Sequence, residues 1–294
     1  MSAGVVSEFV YRLPGKPGSS RPGAHRSHTR GPGLAFSNYA RLLDQPDPRR
    51  LDLRASIRDV NRDWLVRANY QHSATVVQVM IDVSASMRFG APHTKLDTAA
   101  DFVESLGYSA FSYGDALGMQ AFDHSVRNDL SSSARNGRGV GSLMADSLRD
   151  LASSPPSRSP VPELSASALL SSALNLGQSS SLVFLVSDFH WPLAHLAPLF
   201  DQLSAVTLVP IVVWHGSETQ PPGTWRWLRA KDVESNKQHS LLMRPSILKR
   251  WRDNIANRRS DINKIFSAQG ITPFFIENSF NAEHLSQYFM ETTL

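Results

Sequence analysis

The stretch IDVSASM, Ile81 to Met87, sets an acid and two hydroxyls, Asp82, Ser84 and Ser86, on alternate positions directly after a valine-rich run. A second apolar run, LVFLVSDF, also finishes on an acid, Asp188. Alternate residues of an extended segment point the same way, so these three oxygens can converge on one point. An all-oxygen set suits a hard cation, Mg2+ or else Mn2+ or Ca2+, which takes oxygen donors and retains waters. Because hydroxyls are neutral ligands, such an ion would keep a position open for a carboxylate supplied from outside. The plain alternative is an aspartate closing a turn beside serines that make local hydrogen bonds.

Other chemistries lack their parts. No G-x-S-x-G elbow is present, so Ser84 and Ser86 are poor nucleophiles. The chain contains no cysteine, which removes thiolate catalysis, disulfides and cysteine-ligated zinc. His190 and His195 lie beside Asp188 without H-E-x-x-H spacing. NGRGVGS (Asn136 to Ser142) lacks the lysine of a phosphate-binding loop and reads as a connector. A metal-dependent phosphotransfer or hydrolytic enzyme using Asp82 and Asp188, assisted by His190 or His195, is the rival from another class. A metal-free scaffold is a third reading.

The elements that must position these residues can be read from periodicity. TVVQVMID (Thr75 to Asp82) has the valine content of a buried central strand. Leu96, Ala99, Ala100, Val103, Leu106, Ala110 and Phe111 recur at helical steps, with Thr94 as cap and Asp97 three residues later. A strand Leu117 to Phe122 with an antiparallel edge strand in HSVRNDL follows. Next come helices Gly141 to Leu151 and Leu164 to Leu176, a strand Ser181 to Phe189, a helix Leu193 to Leu203 and a strand Ala205 to Trp214. The remainder holds a polar hairpin near 225–243, a basic helix from Pro245 to about Ala268, a strand in ITPFFI and a last helix from Ala282. Earlier in the chain, DPRRLDLRAS (Asp47 to Ser56) alternates Leu51 and Leu53 with charges and predicts a half-exposed strand.

Strands alternating with helices predict an α/β fold, a doubly wound, mostly parallel sheet with helices on both faces. Ligands of such sheets bind outside the carboxyl ends of the strands, where Asp82 and Asp188 fall. The predicted organisation is a flexible basic Gly/Pro-rich head (1–33), an N-terminal segment (34–74) and the α/β domain (75–294).

The chain has 294 residues, with Lys+Arg 30 against Asp+Glu 26. That surplus is too small to argue for nucleic acid. It concentrates in the head and on the basic helix, where Arg244, Lys249, Arg250, Arg252, Arg258, Arg259 and Lys264 accompany Trp251, Ile255, Ile262, Ile265 and Phe266. A solvated face is the ordinary reading of that helix, and an acidic partner is the functional one. No apolar run approaches the roughly 20 residues needed to span a bilayer, and no secretory leader is visible, so direct membrane insertion is not expected and the expected compartment is the cytoplasm.

The D-x-S-x-S cluster resembles the metal-ion-dependent adhesion site of von Willebrand factor A domains, which a threonine from a middle loop and an aspartate at a later strand end complete. Asp188 matches that aspartate. No threonine stands in ELSASALLSSAL, where Ser165 and Ser167 are the available hydroxyls. RGPGLAF, DPRRLDLRAS, VMIDVSASMRFG with its downstream helix, and LVFLVSDF together resemble the DUF58 family, from about Arg30 to Trp214. That resemblance implies a von Willebrand A-like core and a non-enzymatic adaptor working with a MoxR-type AAA+ ATPase in protein maturation. The ion held by Asp82, Ser84, Ser86 and Asp188, with Ser165 or Ser167, would grasp an acidic residue of the partner or client.

Overall fold

The structure is a computed structural model that describes residues 7–11, 22–31, 35–44, 46–154, 166–176, 180–220, 227–231, 238–242 and 244–292. The chain divides into two compact units, one formed by Leu13–Thr75 and the other by Met1–Arg12 with Val76–Leu294.

In the smaller unit, β1 (Pro22–Gly31), β2 (Ala35–Arg41) and β3 (Leu65–Ser73) form an antiparallel sheet in the order β1-β3-β2. The predicted strand over Asp47 to Ser56 is instead a 3-10 turn, Pro48–Arg50, followed by α1 (Leu53–Arg58). Two aspartates cause the difference. The Asp47 carboxylate accepts from the Arg49 amide with proline at the first helical position, and the Asp52 carboxylate accepts from the Ala55 amide as the cap of α1. Caps of this kind outweigh a short two-residue alternation. Leu53 is left exposed, and Leu51 contributes only an isolated bridge to Val66.

The larger unit is built on β4 (Val76–Asp82), α2 (Lys95–Tyr113), β5 (Ala116–Phe122), β6 (Val126–Arg135), α3 (Val140–Ser153), α4 (Ala166–Leu174), β7 (Ser180–Ser187), α5 (Leu196–Gln202), β8 (Thr207–Trp214), the short α6 (Gly216–Thr219), the hairpin β9 (Trp227–Lys231) and β10 (Gln238–Leu242), α7 (Pro245–Ser267), β11 (Phe274–Glu277) and α8 (Ala282–Thr292). The six-stranded sheet runs β11-β8-β7-β4-β5-β6, parallel except for the edge strand β6. From β4 the chain goes first to β5 on one side and later to β7 on the other, which makes the β4–β7 gap the topological switch point of a doubly wound α/β fold.

Strand periodicity divides the core between two faces. Val183 and Leu185 of β7, with Met80, Val212 and Trp214, pack under α4, α5 and α7 through Leu169, Leu196, Leu199, Ile262 and Phe266. On the opposite face, Phe184 meets Phe102 of α2 and Phe289 of α8 edge-on. Residues 7–11, expected as part of a flexible head, belong to this face. Phe9 and Tyr11 are buried, the Phe9 amide donates to Ser109 Oγ at 2.9 Å, and the Phe9 ring stacks on Phe102. The Gly/Pro/Arg content of the wider segment masked two alternating aromatic residues that a helix-lined face can bury. Strand β1 likewise falls in the stretch expected to be flexible, and residues 12–21 lie outside those described.

The Thr94 cap forms as its spacing foretold. The Thr94 hydroxyl accepts from the Asp97 amide, and Asp97 reaches back to the Thr94 amide at 2.8 Å. This reciprocal cap starts α2 at Lys95, directly behind the β4 exit turn.

Candidate functional site

Strand β4 delivers Asp82, fully buried, to the switch point. The chain then leaves through a 3-10 turn, Ala85–Arg88, pinned by the buried Met87. The Ser84 amide donates to Asp82 Oδ1 at 2.9 Å, and the Ser84 and Ser86 hydroxyls lie 3.2 Å apart. Asp82, Ser84 and Ser86 therefore come together, through a 3-10 turn and not through the extended exit that the alternation predicts.

The other oxygen of Asp82 is also engaged. Ser187, the last residue of β7, donates its hydroxyl to Asp82 Oδ2 at 2.6 Å and accepts from the Phe189 amide at 3.0 Å and Trp191 Nε1 at 2.9 Å. One donor and two acceptor sites are all a hydroxyl has, so Ser187 is saturated and fixes the Asp82 carboxylate. To close this loop Phe189 adopts φ +53, the left-handed region, a local strain of about 1–3 kcal/mol.

Asp188 meets a partner that sequence spacing did not reveal. Lys95, 1% exposed, donates from Nζ to Asp188 Oδ2 at 2.6 Å and to Glu218 Oε1 of α6 at 2.8 Å. The second Asp188 oxygen accepts from the His190 amide at 3.1 Å, and its backbone carbonyl accepts from Trp214 Nε1 at 2.9 Å. Three elements, the start of α2, the tip of β7 and α6, thus meet at one ammonium.

The two acids titrate in opposite directions. Burial, then the nearby charge of Asp188, pushes Asp82 up to about 6. Burial also works against the charge of Asp188, but the Lys95 ammonium and then His190 prevail and hold it down at about 2. Lys95 is raised because Asp188 and Glu218 outweigh its own desolvation, and Glu218 is lowered by His190 and Lys95 against its burial.

A divalent ion shared by the two acids requires carboxylate oxygens free to turn toward it. Here both Asp82 oxygens accept hydrogen bonds and Asp188 is paired with Lys95. Among the described residues no group of three or more His, Cys, Asp or Glu side chains is placed to hold a metal. The residues present do not fit an ion ligated by Asp188, because an ammonium already supplies the positive charge there. Ser167 is exposed on α4, and Ser165 lies outside the described residues.

Lys95 and Glu218 were missed for a definite reason. Lys95 sits inside the helix-start signal TKLD, where its charge reads as solvent-facing, and its partners are 93 and 123 positions away. The one available sign was a lysine flanked by the apolar stripe of α2. The imidazoles are engaged with indoles: His190 stacks on Trp214 at 6.2 Å and His195 on Trp191 at 5.9 Å.

Comparison with known proteins gives a family match over residues 46–260, to the family described as "Protein of unknown function DUF58". No curated protein matches the chain. Among solved structures, the conserved hypothetical protein BatB from Bacteroides thetaiotaomicron is similar at 13% identity and TM-score 0.41, over 74% of this chain and 98% of that one. A von Willebrand factor type A protein from Catenulispora acidiphila is similar at 14% identity and TM-score 0.38, over 77% of this chain and 43% of that one. Proximal thread matrix protein 1 from the mussel byssus, described with a zinc-occupied MIDAS motif, is similar at 14% identity and TM-score 0.37, over 75% of this chain and 47% of that one. Among the described residues no helix is long and apolar enough to cross a membrane.

Proposed function

Since the chain belongs to the DUF58 family, whose description names no activity, we propose from the site itself that it is a non-enzymatic interaction module. It binds a partner protein at the crevice over the β4 and β7 tips. The carrying observation is the burial of Lys95 between Asp188 and Glu218. A carboxylate held charged by an internal ammonium and an aspartate locked by a saturated serine are poorly placed to act as base or nucleophile. The arrangement is a rigid, charge-balanced platform, with the half-buried Ser86 hydroxyl at its rim. In this reading Lys95 stands where an adhesion-type site would hold its ion, and no step of recognition is routed through a metal.

Residues RGPGLAF through LVFLVSDF, which resemble the DUF58 pattern, support a MoxR-type AAA+ ATPase as the partner and an adaptor role in protein maturation. The test is co-purification of that ATPase with the wild-type chain and with Ser86→Arg, each with and without chelator. The complex is expected to survive chelator and to be lost in Ser86→Arg. Dissociation by chelator would overturn the metal-free mechanism, and undiminished capture by Ser86→Arg would overturn the assignment of the crevice. Turnover of generic phosphoesters with Mg2+ that disappears in Asp82→Ala would restore the enzymatic reading.

A further inference from the structure

Beside the Lys95 junction lies a cavity of ≈ 550 Å³, lined by His190, Trp214, Glu218 and Thr219 on one side and by α7 on the other. The α7 lining consists of Ile247, Arg250, Trp251, Asn254, Ile255 and Arg258. These residues recur at steps of three and four and so form a single helix stripe. The basic helix, read from sequence as a solvated face, therefore turns a mixed aromatic and cationic stripe toward the strand tips.

The volume is that of a binding pocket, and the wall is mainly apolar with a few convergent polar groups. Its shape is fixed from behind. Trp251 Nε1 donates to the Glu218 carbonyl at 2.7 Å, while the Trp214 ring is stacked by His190 and tied through Nε1 to the Asp188 carbonyl. The charge is lopsided. Glu218, the one acid in the lining, is already engaged by Lys95. Arg258 donates from Nε and Nη2 to the carbonyls of Phe189 and Trp191 and has no hydrogen bond from Nη1 among the described residues, and there neither Arg258 nor Arg250 makes an ion pair. Burial lowers Arg258 and outweighs the opposing charges of Asp261 and Asp188, neither of which is close enough to pair with it.

We propose that this pocket is the anchor point for a partner segment in which an aromatic or large aliphatic side chain is flanked by carboxylates. The side chain would lie between Trp214 and Trp251, and the acids would reach Arg250 and Arg258. A planar guanidinium can fork onto a carboxylate and stack on a ring, the part given to Arg250, while Arg258, with Nε and Nη2 taken, would offer Nη1 alone. The inference rests on the interaction reading given above and supplies the chemistry of the partner.

The test uses the full chain with nitrogen-15-labelled indoles, titrated with acetyl-Glu-Trp-Glu-amide, acetyl-Lys-Trp-Lys-amide and acetyl-Glu-Ala-Glu-amide. The acidic tryptophan peptide is expected to shift the Trp251 and Trp214 indole signals and to bind at least about tenfold more tightly than either of the others. Arg250→Glu, an exposed change, should reverse the charge preference, and Trp251→Ala should remove binding. Equal binding of the acidic and basic tryptophan peptides, no indole shift at millimolar peptide, or an unchanged preference in Arg250→Glu would overturn the proposal. Loss of ATPase capture in Ser86→Arg together with full capture by Arg250→Glu and Trp251→Ala would sink this pocket alone. Full capture by all three variants would sink the interaction reading itself.

Discussion

Replacing Lys95 by methionine tests the idea that an ammonium does the work of an ion. Methionine nearly matches the lysine stem in volume, so the loss is chiefly electrostatic. Lys95 is 1% exposed and Asp188 0%, so removal leaves Asp188 as an uncompensated buried charge. Breaking a buried pair from one side costs about 3–5 kcal/mol. For a chain of this size that corresponds to a fall in melting temperature of about 10 °C, readable by calorimetry or urea titration. The variant also leaves Asp188 and Glu218 free of their shared cation, two carboxylates that now suit a hard ion. Magnesium binding only the folded variant would restore about 2.7 kcal/mol at ~100 times its dissociation constant. The expected pattern is a wild type indifferent to MgCl2 and a Lys95→Met chain that is destabilised and then rescued by it. Rescue is to be confirmed by calorimetric titration. A wild type stabilised by Mg2+ as strongly as the variant, or a substitution costing less than about 1 kcal/mol, would refute the reasoning.

Three further outcomes follow from the geometry. Ser187→Ala deprives Asp82 of a donor and strands the Trp191 indole and Phe189 amide, and at about 1–3 kcal/mol for each unsatisfied buried group it should lower stability by roughly 3 kcal/mol in urea titration. Asp82 is raised above its unfolded value, to about 6, so its protonation stabilises the fold below about pH 4 and that contribution fades as pH climbs through 6. Asp188 is depressed, so its contribution is kept above its unfolded value and lost only as pH falls through about 2. Unfolding free energies between pH 4 and 7 should therefore decline more steeply in wild type than in Asp82→Asn. At the crossing of α2 and α3, a Cβ on Gly107 would stand 2.4 Å from the Gly141 Cα, so Gly107→Ala should cost about 1–3 kcal/mol through forced separation of the helices, checked by the urea midpoint.

Much of the sheet was legible because burial leaves a period in the sequence. The valines of β4, the apolar run of β7, the helical stripe of α2 and the Thr94–Asp97 cap all record which side of an element faces the core. The D-x-S-x-S cluster was legible as a group of oxygens at a strand end, although the exit that gathers them is a 3-10 turn and not an extended segment. What spacing could not carry was the partner of Asp188. A lysine cap of that carboxylate depends on α2 returning across the tip of β7 and on α6 delivering Glu218, both set by tertiary packing. The misread segment at Asp47 to Ser56 shows the opposite hazard. Two leucines at a spacing of two mimic a strand, whereas the aspartates beside them cap a turn and a helix.

Lys95 is also the first residue of α2, where the helix already presents the positive end of its dipole. A cation at that spot is repelled by its own backbone and is retained only through the acids that face it. The residue types at positions 95, 188 and 218 are therefore interlocked. Neutralising one makes the others a liability, whereas changing lysine and its carboxylates together to uncharged residues of like size leaves no charge stranded. Anyone grafting this crevice onto another scaffold would have to transplant the trio as a single part.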